Sequence, residues 1–201
     1  MSEALKEAKS AFEEDEVPVG AVVVYKDKVI ARGHNQIERL KDPTAHAEML
    51  ALTSATNFLG TKWLNAASIY VTIEPCSMCA GALVLSRIKN LCFGARDPKT
   101  GACGSAINIV NNKKLNHRIK VKSGILEKEC SSLLAEFFKK KRIKWFWRGR
   151  IVGLVRRFAK PLGGQKLPRE FKSRPLRKIF NAKNKVLTDT IKSDKLIFPK
   201  G

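Results

Sequence analysis

Long uncharged stretches are missing from this chain. Among its 201 residues, no run without Asp, Glu, Lys or Arg exceeds 13 residues, and Met49–Thr61 is one such run. A membrane-spanning helix needs about 20 predominantly apolar residues, so the sequence predicts no membrane segment and no membrane partner. The first 16 residues carry many acids and no apolar run, which differs from the pattern expected of a secretory signal.

Acidic residues are scarce as well. The chain holds 18 Asp and Glu against 39 Lys and Arg, which gives a formal net charge of +21. The imbalance is uneven, because residues 1–147 carry +8 and residues 148–201 carry +13. A field this positive attracts polyanions. Nucleic-acid binding is therefore the first expectation, and solubility alone is the alternative.

Cysteine is present five times, an odd number that fits poorly with a disulfide framework. The sequence therefore predicts a reducing compartment, the cytoplasm. Two of the cysteines stand close together in Pro75-Cys76-Ser77-Met78-Cys79, and Cys76 follows the Glu of His46-Ala47-Glu48 by 28 residues.

These residues are suited to a catalytic metal centre. Two thiolates and one imidazole are typical zinc ligands. Three protein ligands leave the fourth tetrahedral position open, as in catalytic rather than structural zinc sites. Water in that position has its pKa lowered toward about 7. Glu48 would then move protons between this water and the substrate.

Local structure predicts how the ligands meet. Thr44 is a candidate N-cap for a helix over Ala45–Phe58, which places His46 and Glu48 in its first turn. A second helix over Ser77–Arg87 begins at the two cysteines. A helix N-terminus is partly positive and favours thiolate over thiol, so two such termini are expected to hold one zinc ion between them.

Two other interpretations of the cysteine pair remain open. A Cys-x-x-Cys pair at a strand-to-helix junction is also the pattern of a thioredoxin-like redox site. A closed structural zinc site is the second alternative, and it needs a fourth ligand. The available residues are His34, Cys92, Cys103, His117 and Cys130.

The remaining pattern indicates an α/β domain. Strands alternating with helices predict a three-layer α/β/α fold around a mixed five-stranded sheet. The predicted helices are Ser2–Glu14, Ala45–Phe58, Ser77–Arg87 and Ile125–Trp147. The predicted strands are Val19–Tyr25, Val29–His34, Ser68–Ile73, Lys89–Gly94 and Ile119–Ser123. Residues 1–147 form this domain, and residues 148–201 are expected to be a flexible basic extension, with RNA binding as the functional alternative.

Five motifs now point to a family. They are Glu16-Val17-Pro18-Val19-Gly20-Ala21-Val22, Gly33-His34-Asn35, His46-Ala47-Glu48, Glu74-Pro75-Cys76-Ser77-Met78-Cys79 and the segment Phe93–Ala102. In this order, and with a terminal helix before a basic cluster, residues 1–147 resemble the bacterial tRNA-specific adenosine deaminases of the cytidine deaminase-like superfamily. Residues 148–201 match nothing in that family pattern.

The resemblance implies roles for individual residues. By it, His46, Cys76 and Cys79 bind one Zn²⁺ per subunit, and Glu48 is the catalytic proton shuttle. Asn35 is expected to bind the flipped base with its side-chain amide, while a turn-forming Asn at a strand end is the alternative. The family acts as a homodimer, for which the apolar helix Ala80–Leu85 offers an interface. The RNA contacts implied are Arg96, Lys99, Lys139, Lys140, Lys141 and Arg142.

The reaction implied is hydrolytic deamination of adenosine to inosine at the wobble position of a tRNA anticodon stem-loop, with a zinc-activated water. An unpaired loop base is easily extruded into a deep pocket. Three alternatives remain from the residues alone: a free nucleobase deaminase acting on guanine or cytosine, an inactive RNA-binding module, and a thiol redox protein. The intact Glu48 argues against the inactive module.

Overall fold

The structure is a computed structural model that describes the backbone of residues 1–158 and the side chains of residues 1–142. Most of the predicted extension therefore lies outside the described residues. One compact unit comprises Met1–Arg148. The helices are α1 (Ser2–Glu13), α2 (Ile37–Leu40), α3 (Ala47–Leu59), α4 (Ser77–Leu85) and α5 (Glu127–Phe158). The strands are β1 (Gly20–Tyr25), β2 (Lys28–His34), β3 (Ser68–Ile73), β4 (Asn90–Ala95) and β5 (Lys120–Lys122).

The strands form one mixed five-stranded sheet in the order β2-β1-β3-β4-β5. Strand β1 pairs antiparallel with β2 and with β3. Strand β3 pairs in parallel with β4, and β4 with β5. The parallel part brings the carboxyl ends of β3 and β4 to one edge of the sheet. The residues that follow these two strands therefore lie side by side.

Helices cover both faces of the sheet, and two glycines show how closely they approach. A Cβ atom on Gly20 would lie 2.1 Å from the Ala4 carbonyl oxygen of α1. A Cβ atom on Gly33 would lie 2.6 Å from the Ala47 carbonyl oxygen of α3. Gly33 pairs with Ala21, the residue after Gly20, and successive residues of a strand point to opposite faces. Helices α1 and α3 therefore lie on opposite faces, which confirms the three-layer α/β/α fold.

Burial in the core explains why the sequence of β1 is almost entirely apolar. Its residues Gly20–Val23 are buried, as expected of a strand with a helix on each face. The sheet interior is filled by large apolar side chains, among them Ile69, Leu83, Leu91 and Phe93. This core fixes the strands that carry the loops of the candidate site.

Some sequence expectations at element ends are corrected. Thr44 is not the N-cap of α3, because its hydroxyl donates to the Asp42 carboxylate at 2.7 Å and the helix begins only at Ala47. Helix α5 continues to Phe158 rather than ending near Trp147. On α5, Phe137 is buried against Phe12, whereas Phe138 is 45% exposed and does not belong to the buried face.

No helix among residues 1–158 is long and apolar enough to cross a membrane.

Candidate metal and base-binding site

Two helix N-termini bring the predicted ligands together. His46 is the N-cap of α3, and Cys76 is the N-cap of α4, which carries Cys79 in its first turn. The ligand atoms of these three residues all lie within 4.8 Å of one another. In the part of the chain that the structure describes, this is the one group of three or more such residues placed to hold a metal ion.

The spacing of the donor atoms fits a zinc ion. His46 Nδ1 lies 3.7 Å from Cys76 Sγ and 3.5 Å from Cys79 Sγ. Bond lengths of 2.0–2.1 Å to nitrogen and 2.3 Å to sulfur at a tetrahedral angle require about 3.6 Å between such atoms. The donor set and its distances therefore match three corners of a zinc tetrahedron.

The same contacts shift the pKa values of the three side chains. Hydrogen bonds from Cys79 and His46 lower the pKa of the Cys76 thiol to about 4. The hydrogen bond with Cys76 raises the pKa of the His46 imidazole, although burial opposes this change. The pKa of Cys79 is raised, by the hydrogen bond with Cys76 and by burial. The lowered pKa of Cys76 favours its thiolate, the form that binds metals.

Glu48 lies beside the cluster, in the first turn of α3, and is 2% exposed. Burial raises the pKa of its carboxyl to about 7. Its Oε2 atom has no hydrogen-bond partner among the described residues, and it is the one such buried side-chain atom there. A buried carboxylate oxygen without a partner costs free energy and marks a position where a ligand is expected.

Asn35 connects β2 to the N-terminus of α3. It is 4% exposed, and its Oδ1 accepts a hydrogen bond from the Ala47 amide at 2.9 Å. This bond satisfies one of the free N–H groups at the start of the helix. The side chain also carries an NH₂ group, which can donate to a base. The structural and the base-binding interpretations of Asn35 are therefore compatible.

Glu74 is the residue whose role sequence reasoning missed. Its buried carboxylate accepts hydrogen bonds from the backbone amides of Asp97 (3.2 Å), Cys103 (3.0 Å) and Ser105 (3.0 Å), and from the Ser105 hydroxyl. The Ala102 amide donates to the Pro75 carbonyl at 2.8 Å. Glu74 thereby fixes the Arg96–Ser105 loop against the turn that carries Cys76. An acid directly before Pro-Cys was the available signal.

The residues predicted to contact RNA fall into two groups. Arg96, Lys99, Lys139 and Arg142 are exposed, and Arg96 Nη2 donates to Ser123 Oγ at 3.3 Å. Lys140 is exposed as well, and its Nζ lies 5.1 Å from the Phe12 ring centroid. Lys141 is partly buried, and its Nζ forms an ion pair of 3.0 Å with Asp15.

The residues named as a possible fourth ligand are placed elsewhere. His34 contacts the Glu7 and Glu14 carboxylates at 3.1 Å and 3.5 Å. His117 Nε2 lies 2.7 Å from the Ile88 carbonyl oxygen. The cysteines outside the cluster, Cys92, Cys103 and Cys130, are buried, and burial raises the pKa of the Cys103 thiol to about 12. The geometry favours three protein ligands over a closed structural site.

The known proteins that are similar to this chain are deaminases. The family model of the MafB19-like deaminases matches residues 1–142. A tRNA-specific adenosine deaminase of Bacillus subtilis is 50% identical over 144 residues, which are 72% of this chain and 89% of that protein. One of Aquifex aeolicus is 55% identical over 139 residues, 69% of this chain and 91% of that protein. The chain belongs to the tRNA-specific adenosine deaminase family.

The fold of this chain is also similar to solved structures of deaminases. A tRNA:A34 deaminase, studied for A-to-I editing at the wobble position, is 46% identical with a TM-score of 0.65, covering 67% of this chain and 97% of the other. A guanine deaminase from Nitrosomonas europaea is 26% identical with a TM-score of 0.59, covering 68% and 81%. The predicted cytidine deaminase-like fold is thus confirmed. The family match ends at residue 142, so none of the basic extension, residues 148–201, is covered by it.

Proposed function

We propose that this chain is a zinc-dependent hydrolase that converts adenosine to inosine at the wobble position of a tRNA anticodon. The observation that carries the proposal is the buried Glu48 oxygen without a partner, next to three zinc-type donors. A structural zinc site does not require such a carboxylate. The names and activities of the relatives support adenosine in tRNA as the substrate.

His46, Cys76 and Cys79 would hold one zinc ion per chain. Bound there, zinc would act as a Lewis acid and lower the pKa of a water molecule. The protein contributes the geometry, since two rigid helices present the three donors at distances near those of a tetrahedron. Neither of the thiols needs to move far to bind.

Glu48 would carry the protons of the reaction. It takes a proton from water and delivers it to N1 of the adenine ring as the oxygen adds to C6. It would then take the proton of the new C6 hydroxyl and give it to the exocyclic nitrogen. The C6–N bond breaks, ammonia leaves, and the C6 carbonyl of inosine remains. A pKa of about 7 suits a group that both takes and gives a proton near neutral pH.

Asn35 would orient the base with its NH₂ group, while its oxygen accepts a hydrogen bond from the Ala47 amide. An acceptor nitrogen of the purine is the matching group. The target base would leave the anticodon loop to enter the site, which is inexpensive for a base that is already unpaired. The exposed Arg96, Lys99, Lys139 and Arg142 would contact phosphates of the anticodon stem-loop.

We also propose that the protein forms a homodimer and acts in the cytoplasm. Most of the helix segment proposed as the interface is used inside the protomer, where Ala80, Leu83 and Val84 are buried. Leu85, at the end of α4, is 80% exposed, and Phe58, near the end of the neighbouring α3, is 67% exposed. These apolar side chains support helices α3 and α4 as the dimer face.

The substrate assignment is tested by measuring ammonia release from tRNA, guanine and cytosine with the zinc-loaded protein. Inosine appearing at the wobble position of tRNA, with no turnover of either free base, is the expected result. Turnover of guanine without turnover of tRNA would instead establish the free-base alternative, which the fold similarity to a guanine deaminase brings into consideration.

A further inference from the structure

A second cationic surface lies away from the proposed active site. From Met49 to Leu126 the chain has ten Lys and Arg but only two acids, Glu74 and Asp97. Glu74 is buried, and the Asp97 carboxylate accepts hydrogen bonds from the backbone amides of Lys99 and Thr100. The cations in this part of the chain therefore meet very little opposite charge.

Backbone hydrogen bonds gather several of these cations at one edge. The Leu64 amide donates to the Ser86 carbonyl at 2.7 Å, and the Lys89 amide donates to the Ala67 carbonyl at 3.1 Å. The Lys120 amide donates to the Lys89 carbonyl at 3.2 Å. We call the resulting surface the basic edge. It consists of Lys62, Trp63, Arg87, Lys89, Arg118 and Lys120, all of them exposed.

The cations of the basic edge have no acidic partner among the described residues. None of the ion pairs formed by residues 1–142 includes one of them. By contrast, Lys6, Arg32, Arg39 and Lys141 each pair with an acid. Unneutralised like charges repel one another, so a surface of this kind is stabilised by a bound polyanion.

The basic edge includes one exposed aromatic ring, which lies close to two of its cations. Trp63 is 45% exposed, with the Arg87 guanidinium 4.9 Å and the Lys62 ammonium 5.1 Å from its ring centroid. Exposed aromatic rings among cations are how proteins bind single-stranded nucleic acid, since bases stack on the ring while cations contact the phosphates. Neither a purely acidic protein surface nor an anionic lipid supplies a base for stacking.

The basic edge is separate from the metal cluster. It lies at the end where β3 begins, at Ser68, whereas Cys76 follows the other end of β3 at Ile73. Six residues at about 3.3 Å each place roughly 20 Å between the two ends. RNA on the basic edge therefore does not occupy the pocket of Glu48.

We propose that the basic edge is a second RNA-binding surface, which contacts phosphates through its lysines and arginines and stacks an unpaired base on Trp63. The choice of RNA over another polyanion rests on the proposed function. The position and charge of the basic edge do not depend on the proposed function.

The test uses the full chain and an oligouridine of 12 nucleotides that contains 4-thiouridine and no adenosine. The edge variant carries Lys62→Glu, Arg87→Glu and Lys89→Glu. The control variant carries Lys9→Glu, Lys26→Glu and Lys28→Glu, three exposed lysines on α1 and the β1–β2 hairpin. Both variants change the net charge by the same amount and keep residues 148–201, so any difference between them reports the location of binding.

Binding is measured by fluorescence anisotropy at several salt concentrations. The edge variant is expected to bind at least tenfold more weakly than the control at about 0.1 M salt. Its log–log salt slope should be smaller than that of the control by about 2, because each phosphate contact on single strands contributes about 0.7. Photo-crosslinks in the wild type should map to residues 61–67 or 86–90. Trp63→Ala should weaken binding about fivefold or more, and Trp63→Phe should retain most of it.

Several outcomes would overturn the proposal. Equal weakening in the edge and control variants would show a general charge effect, and crosslinks confined to residues 139–201 would place binding on the extension. If the edge variant lost binding to anionic phosphatidylglycerol vesicles but bound the oligouridine as well as the wild type does, the basic edge would instead bind membranes. Thermal unfolding midpoints equal to the wild type exclude misfolding of the variants. A wild type that binds the oligouridine through this surface but leaves tRNA undeaminated would refute the proposed function and not this inference.

Discussion

At the scale of single residues, the contrast between two buried acids is instructive. The Glu74 carboxylate accepts hydrogen bonds from three backbone amides and one hydroxyl, whereas Oε2 of Glu48 has no partner among the described residues. The first pattern is that of a residue that holds structure together. The second is that of a residue reserved for a ligand.

Glu48→Gln should therefore retain zinc and lose turnover. The three ligand side chains are unchanged, but an amide cannot carry the protons of the reaction. General acid–base catalysis is typically worth about 10²–10⁴-fold, and the loss should reach the upper end because one group serves several transfers. Metal analysis together with an inosine assay on tRNA measures both quantities. Near-normal activity would remove Glu48 from the mechanism.

The ligand assignment makes a separate prediction. His46→Ala, Cys76→Ala and Cys79→Ala should each lose bound zinc, because each removes one of three donors. Cys92→Ala and Cys103→Ala should keep it, since neither thiol belongs to the cluster. Zinc content of the purified variants decides the matter. Metal loss in Cys103→Ala would point to a different ligand set.

Glu74→Gln should destabilise the fold. The amide presents an NH₂ group where a carboxylate oxygen accepted hydrogen bonds, so at least one backbone amide of the Arg96–Ser105 loop loses its partner. Leaving a buried donor unsatisfied costs about 1–3 kcal/mol. Urea unfolding measures the free energy of unfolding, with the exposed Glu136→Gln as the control. An equal effect of both substitutions would contradict the anchoring role.

At the scale of elements, the close contact between α1 and β1 depends on a missing side chain. A Cβ on Gly20 would lie 2.1 Å from the Ala4 carbonyl oxygen and 2.5 Å from the Ala8 amide nitrogen. Both contacts are with helix backbone, which cannot rotate away as a flexible side chain does. The helix must shift or the strand must bend.

Gly20→Ala is therefore expected to lower the free energy of unfolding by about 1–3 kcal/mol, the usual cost of overpacking. Gly81→Ala is the matched control, because a Cβ at this position of α4 meets no atom within 4 Å. A helix-interior glycine replaced by alanine gains about 0.5–1 kcal/mol. Denaturant unfolding of both variants should give shifts of opposite sign, and shifts of the same sign would contradict the packing described.

The elements also show what a sequence can predict. The alternation of Ser68–Ile73 was sufficient for β3, because a strand depends on local periodicity. The ligand cluster joins residues 30 and 33 positions apart, and it could be predicted because His and Cys-x-x-Cys at two helix starts are typical zinc donors. Helix α2, Ile37–Leu40, was missed, since four residues are too short to display a helical period. The Glu74 network was missed because its hydrogen bonds join residues 23 to 31 positions apart. Thr44 was misassigned because Asp42 competes for its hydroxyl.

At the scale of the whole molecule, charge is the dominant property. The family match ends at residue 142, yet residues 159–201, outside the described residues, add 12 Lys and Arg against 3 acids. They contain no metal-ligand constellation. This composition is expected of a flexible tail, and the functional alternative is a tail that adds RNA affinity without adding chemistry.

A chain truncated after Phe158 should keep its zinc content and its saturated rate. It should bind tRNA more weakly and with a flatter salt dependence, because fewer counterions are released when fewer phosphates are neutralised. Each lost contact should reduce the log–log salt slope by about 0.7–0.9. Titrations with tRNA at several salt concentrations measure the slope. Identical slopes for both chains would leave the extension without contact to RNA.

The two outer strands of the sheet carry charge of one sign. Strand β2 exposes Lys28 and Arg32, of which Arg32 is paired with Glu3, and the three-residue strand β5 exposes Lys120 and Lys122. Within the described residues, each of these strands has a single neighbour. Unpaired strands are templates for aggregation, and short length and lysine residues are common protections. Two copies of this sheet that approached edge to edge would repel each other. Such repulsion disfavours edge-to-edge pairing of two sheets, the contact from which fibrils grow.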